Sequence, residues 1–282
     1  MSAVLPTRPA ALDRASGNQS QRVTLSSATV TLLAMLRREM LVAGKQFHVT
    51  ASLLLLQPAL LLFALGRVQS FIGGIPASFV EVLLPGILGS VILSFSVQSV
   101  SAPLIAEFSY TREIEDRLLS PIPVWLVGIE KILAGTLKSF ACAVLYFPLA
   151  WVILGPALYH VDIHSYWLLA ITLLLSSLAM SALGLLIGSA TRGAQSNIVF
   201  TVLLVPMSFL GCVYFPWAAL APVPLLQSIA LLDPQTYMSE LLRATMTADP
   251  HMSFLWAFGG MLIWTALFFF LGLRTFIRRA IQ

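Results

Sequence analysis

Charge is what this sequence has least of. Its 12 acids and 16 bases make up 10% of 282 residues, where a soluble domain carries about 25%. No segment outside the apolar runs is long enough to build a separate soluble core. Cysteine is scarce too: Cys142 and Cys212 both sit in apolar runs, which argues against a disulfide framework and leaves them as small hydrophobes. No H-E-x-x-H or G-x-S-x-G occurs. His160-Val-Asp162-Ile-His164 alternates possible metal ligands, but in a short loop where polar residues are needed anyway. Gly44-Lys45 is followed by Gln46, with no Gly-rich turn before it and no Ser or Thr to hold magnesium, so the chain is not expected to bind ATP itself. Residues 82–106, 139–159, 165–191, 193–232 and 252–273 contain no Asp, Glu, Lys, Arg or His. Ion-coupled carriers place such groups near the membrane midplane, so that class is disfavoured.

What the sequence has in excess is long hydrophobic runs, with 58% of residues apolar. A membrane span needs roughly 17–25 predominantly apolar residues. Six segments are candidates: 50–65 (short, and containing Pro58), 82–106, 140–159, 166–190, 198–214 and 254–273. The expected fold is an all-α integral membrane protein of six transmembrane helices, with 48–282 as its transmembrane domain. Residues 1–26 hold Arg8, Arg14 and Arg22 among Pro, Ser and Gln without an apolar core, and read as a disordered tail rather than a signal peptide. In 27–47, Leu33, Leu36, Met40, Ala43 and Phe47 recur at spacings of 3 and 4, with Arg38 and Lys45 roughly opposite. This is the build of an amphipathic interfacial helix; a plain extension of the first span is the alternative.

Basic residues orient the chain. With six spans, 14 of the 16 bases fall on one side, and only Arg67 and Arg243 on the other. By the positive-inside rule both termini are cytoplasmic.

The densest polar patch is "EFSYTREIEDRLLSPIPVW", residues 107–125. Glu113 precedes Arg117 by four, and Arg112 precedes Glu115 and Asp116 by three and four. Such pairs contribute about 0.2–0.5 kcal/mol each to a helix. Ile114 and Leu118 share its apolar side, and Ser120-Pro121 suits the start of the next helix. Lys131 and Lys138, seven apart, share a face beyond it. A solvated loop satisfying the positive-inside rule would need only bases, so the near balance of acids and bases favours a protein partner.

Between the fifth and sixth segments lie about 40 residues that are apolar yet broken by Pro216, Pro222, Pro224 and Pro234. Short re-entrant outer helices fit, the last holding Glu240 and Arg243, three apart and able to pair. In 166–190, Ser177, Ser181, Gly184 and Gly188 form a small-residue stripe with a G-x-x-x-G. Packing within the chain is preferred to a dimer seam for it.

The order of these features resembles the permease subunit of ABC exporters of the ABC-2 type. The resemblance rests on the interfacial helix, "REIEDRLLSPIPVWLVGIEKILAG" after the second span, Gly211-Cys-Val-Tyr-Phe-Pro216 after the fifth, and "LDPQTYMSELLR" at 232–243, with Asp233 where Asn is more usual. It covers about residues 30–275.

The resemblance implies a multi-pass protein of the bacterial cytoplasmic membrane. It further implies a cytoplasmic coupling helix between spans 2 and 3 that contacts a separate ABC ATPase subunit through Tyr110, Arg112, Glu113, Glu115, Asp116, Arg117 and Leu118. Arg37 and Arg38 of the interfacial helix would add to that contact. The re-entrant break would involve Gly211, Phe215, Pro216, Asp233 and Pro234. No cofactor or metal is implied in this chain; ATP and magnesium would belong to the partner. Other implied partners are a second copy or sister permease, membrane lipid and a hydrophobic or amphiphilic substrate, with no nucleic acid. Export of a drug, antibiotic or lipid-like molecule is the preferred reading. A lipid-linked glycan exporter is the alternative, ahead of an assembly subunit with no transport role.

Overall fold

In a bilayer every backbone N–H and C=O must be bonded within its own segment, so uninterrupted apolar runs become helices. The computed structural model describes residues 25–74, 77–111, 123–156, 158–159, 163, 165–191, 193, 196–247 and 251–281, and these form helices and turns with no strand. Helix α1 spans Leu25–Leu61 and continues through a π-helical stretch, Leu62–Val68, into a last turn, Gln69–Ile72. Helix α2 is Ala77–Ala106, followed by a π turn at Glu107–Thr111. Helices α3 (Val124–Leu154), α4 (Tyr166–Ala190) and α5 (Ser196–Leu210) follow. A 3-10 turn at Trp217–Leu220 and two short helices, α6 (Pro224–Ala230) and α7 (Pro234–Met246), lead to α8 (Phe254–Ile281).

The expectation of six spans is met in part. Among the described residues five helical stretches are long and apolar enough to cross a membrane, at Phe47–Ile72, Phe79–Ser109, Val124–Leu154, Tyr166–Ala190 and Phe254–Ile281. Helix α5 has 15 residues, a rise of about 22 Å against a hydrocarbon core of about 30 Å. It stops because the chain turns at Gly211 and Cys212, the latter at φ 53, before the expected end at 214.

The expected separate helix at 27–47 is also revised, since α1 runs unbroken through it. Nothing between Gly44 and Thr50 ends the helix: no proline follows until Pro58, and Gly44 keeps helical geometry. Leu36, Met40, Ala43 and Phe47 lie on its half-buried face as the spacing suggests, while Leu33 is exposed. Helix α3 starts at Val124, close to the helix start suggested by Ser120-Pro121, and runs unbroken into the apolar segment expected from 140, with Lys131 and Lys138 neutralised by partners inside the bundle. The 1–24 part of the expected tail lies outside the described residues.

Side-chain contacts define two ends. At one, here the basic end, Glu39 meets Lys138, Glu107 meets Lys131, and Arg279 of α8 donates to the Gly188, Ser189 and Thr191 carbonyls that close α4. The Arg279 guanidinium also stacks on the Phe108 ring, 4.4 Å from its centroid. At the opposite end Arg67 donates to the Ile153 carbonyl at 2.7 Å, capping α3.

Helix α4 is the spine, packed against α2, α3 and α8. Its small-residue stripe serves this chain's own packing. A Cβ on Gly184 would lie 3.0 Å from the Val97 carbonyl oxygen, and one on Gly188 2.9 Å from Ser101 Cα. The tightest approach is at the opposite end, where a Cβ on Gly86 would fall 1.8 Å from the Val213 carbonyl oxygen. Backbone cannot yield as a side chain can. Gly86→Ala is therefore expected to destabilise the protein by about 1–3 kcal/mol. Gly259→Ala, with no neighbour within 4 Å, should leave thermal unfolding in detergent unchanged or raise it. Equal midpoints for the two variants would contradict this packing.

Candidate functional site

The basic end is built on charges that interrupt otherwise apolar helices. Glu39 comes from α1, Glu107 from the π turn closing α2, and Lys131 and Lys138 from one face of α3. Lys131 Nζ lies 2.6 Å from Glu107 Oε1 and 3.8 Å from Glu39 Oε2, and Lys138 Nζ lies 3.0 Å from Glu39 Oε1. Lys131 is 4% exposed. At such burial each charge needs its partner, because desolvating it alone costs several kcal/mol. The cluster thus ties three helices together where the chain leaves α2.

Beside it lies a cavity of about 730 Å³ between α1 and α2, with Arg38, Glu39, Glu107 and Lys138 at its polar part and Phe47, Leu53, Leu54 and Phe95 among its apolar walls. A narrower cavity of about 100 Å³ shares Leu53, Leu54 and Gln98 with it. The two are successive lengths of one groove. Ser90, Ser94 and Gln98, four apart on α2, line the narrower part with Gln57, Ser208 and Tyr214. The groove therefore passes from paired charges to uncharged hydrogen-bonding groups, and among the described residues no charged side chain lines its narrow part.

At the opposite end the break after α5 folds onto α7. Gly211 is required, since a Cβ there would meet Gln235 Cγ at 2.1 Å and the Met207 carbonyl at 2.5 Å. Asp233 caps α7, accepting from Gln235 N–H at 2.9 Å, with Pro234 at the first helical position. Burial pushes the Asp233 carboxyl up to about 7, against the pull of that N–H. Pro216, in extended conformation, starts the 3-10 turn, and Phe215 is half-buried beside it. Glu240 and Arg243 do pair, Oε1 to Nη1 at 2.8 Å, but as a fully buried hub rather than a surface pair. Arg243 also donates to the Cys212 and Val213 carbonyls. Glu240 accepts from the backbone N–H of Trp217 at 2.8 Å and of Met252 at 2.7 Å. One carboxylate thus joins the break, α7 and the start of α8.

The family model for ABC-2 type transporters matches residues 30–247, from α1 to the end of α7. The chain belongs to the ABC-2 type transporter family. Curated relatives are the inner membrane transport permease YadH of Escherichia coli (strain K12) and its counterpart in Shigella flexneri. Each is 22% identical over 195 residues, which is 68% of this chain and 72% of the relative. An ABC-2 permease is the transmembrane subunit of its transporter and not its ATPase.

Gly211 packs against Gln235, beside Asp233 and Pro234, and Phe215 and Pro216 lead into Trp217, whose N–H donates to Glu240 of α7. Tyr110 falls in the Glu107–Thr111 π turn, while Arg112, Glu113, Glu115, Asp116, Arg117 and Leu118 lie outside the described residues, as do His160, Asp162 and His164. Arg37 and Arg38 are both exposed on α1, and Arg38 lines the large cavity. Sequence reasoning did not find the Glu39 and Glu107 partners of the two lysines, the reach of Glu240 beyond Arg243, or the groove. The four-residue spacing of Ser90, Ser94 and Gln98 was the available signal for the last. Among the described residues no group of His, Cys, Asp and Glu could hold a metal.

Removing one member of the Lys131–Glu107 pair strands a buried charge, at a cost of about 3–5 kcal/mol. Lys131→Met alone is therefore expected to lower the unfolding midpoint more than Lys131→Met combined with Glu107→Gln, as measured by thermal unfolding of the purified permease.

Proposed function

We propose that this permease is the membrane subunit of an ATP-driven exporter that moves a hydrophobic or amphiphilic molecule, such as a drug, antibiotic or lipid-like compound, outward across the bacterial cytoplasmic membrane. The observation that carries the substrate reading is the groove, with apolar walls, neutral hydroxyl and amide groups along its narrow part and charge only at its basic end. A charged solute would meet no partner along Ser90, Ser94 and Gln98, whereas an apolar body with hydrogen-bonding groups would. The printed name of the YadH relatives, inner membrane transport permease, supports the same membrane for this chain.

The basic end faces the cytoplasm in this reading, because Arg38, Lys131, Lys138 and Arg279 gather there among the described residues. Residues 110–119 act as the coupling segment. Its lead-in, the Glu107–Thr111 π turn, is anchored by Lys131, so displacement of the segment by a closing ATPase pulls on α1, α2 and α3 together. Two permeases, identical or sisters, would enclose the groove. The clamp at Glu240 and Arg243 would hold the outer segments rigid while the basic end moves.

Charge reversal of both Glu113→Lys and Arg117→Glu is expected to abolish co-purification of the ATPase subunit while leaving membrane insertion intact. If ATPase association and ATP-dependent export both survive, the coupling assignment is wrong.

A further inference from the structure

Two bases and two acids, Arg38, Lys138, Glu39 and Glu107, line the large cavity, and Lys131 behind Glu107 adds a third base. Glu107 is held by Lys131 at 2.6 Å and Glu39 by Lys138 at 3.0 Å, so both acids at the mouth are neutralised. Arg38 lines the same mouth, is exposed, and has no ion-pair or hydrogen-bond partner among the described residues. Behind it the walls turn apolar. Phe47 and Phe95 meet edge to face at 5.9 Å, and Leu53 and Leu54 continue the surface toward the narrow part. A volume of about 730 Å³ lies within the range of about 300–1,000 Å³ found for small-molecule sites.

From this geometry we infer that the α1–α2 cavity is a binding site for a single-chain anionic amphiphile, its carboxylate or phosphate on Arg38 and its apolar body along Phe47, Leu53, Leu54 and Phe95. A cationic headgroup would face the Arg38 guanidinium with no free acid beside it among the described residues. A neutral one would leave Arg38 without its charge-assisted bond, which is about twice as strong as a neutral one. The site is concave and apolar behind a single charge, which suits a tailed small molecule better than the flat rim of a protein contact. Arg38 thus recognises ligand, and Arg37 remains for the ATPase contact. The inference rests on the exporter reading only for the ligand's fate, since binding is measurable without transport.

The test uses the full chain in phosphatidylcholine nanodiscs with two probes, palmitic acid carrying a diazirine on its chain and the matching diazirine hexadecanol. Peptide mapping locates the crosslink. The acid is expected to label residues 47–54 and 95–103 saturably, and Arg38→Gln to raise its half-saturating concentration by about tenfold, the effect of losing a bond to a charged group. The alcohol should bind more weakly and ignore the substitution, and Arg38→Lys should restore most of the difference. Equal labelling by acid and alcohol, labelling confined to other surfaces such as 198–210, or loss of ATPase association with labelling unchanged would each overturn the proposal. So would full displacement by phosphatidylglycerol included in the nanodisc, which would assign the cavity to bilayer lipid. Failure of ATPase co-purification by the wild-type chain would instead count against the exporter reading and leave the binding result standing.

Discussion

Lys131, buried in α3 between Glu107 and Glu39, is the contact on which the basic end depends. An ammonium group at that depth cannot be left alone, so its acids must come to it. One acid sits at the last turns of α2, the other midway along the first helix. Their convergence fixes where three helices meet and sets the start of the segment that leaves the bundle at Glu107. Lys138 repeats the arrangement one layer deeper against Glu39. Such pairs contribute little net stability compared with well-packed apolar residues, but breaking one is costly. The cluster therefore acts as a joint whose parts move together.

The opposite end is built on the same rule. Glu240 and Arg243 are fully buried, and they bond to each other and to backbone of the 212–217 break and of Met252. This clamp lets a short α5 and a proline-broken chain remain ordered beside long helices. With both ends tied by charge, the narrow part of the groove between them offers only apolar walls and neutral polar groups. That division of labour fits the proposed passage of a largely apolar molecule along the groove.

Much of this was legible in the sequence, for identifiable reasons. Helix α4 begins and ends where its apolar run does, Tyr166–Ala190, because Ser165 and Thr191 flank it in extended conformation and no charge interrupts it. The G-x-x-x-G of α4 and the Glu240–Arg243 pair were also readable, since both depend on helical spacing alone. What failed depended on partners far away in sequence. A rule that counts charges places Lys131 and Lys138 outside the membrane helix, since Glu107 and Glu39 are 24 and 99 residues away. The same rule splits α1 at Arg37, Arg38 and Lys45. The length of α5 was misjudged because Val213 and Tyr214 are as apolar as the helix before them, and only Gly211, pressed against Gln235, reveals the turn.

The central claim is that a chain without its own ATP site receives work at the segment joining α2 to α3. The most direct measurement is photo-crosslinking in the assembled transporter, with a benzophenone amino acid placed at position 114 in one variant and at 162 in another. The account predicts a crosslink from 114 to the ATPase subunit whose yield changes when ATP is bound, and none from 162. A crosslink to the ATPase from 162, with none from 114, would contradict both the coupling segment and the orientation of the chain.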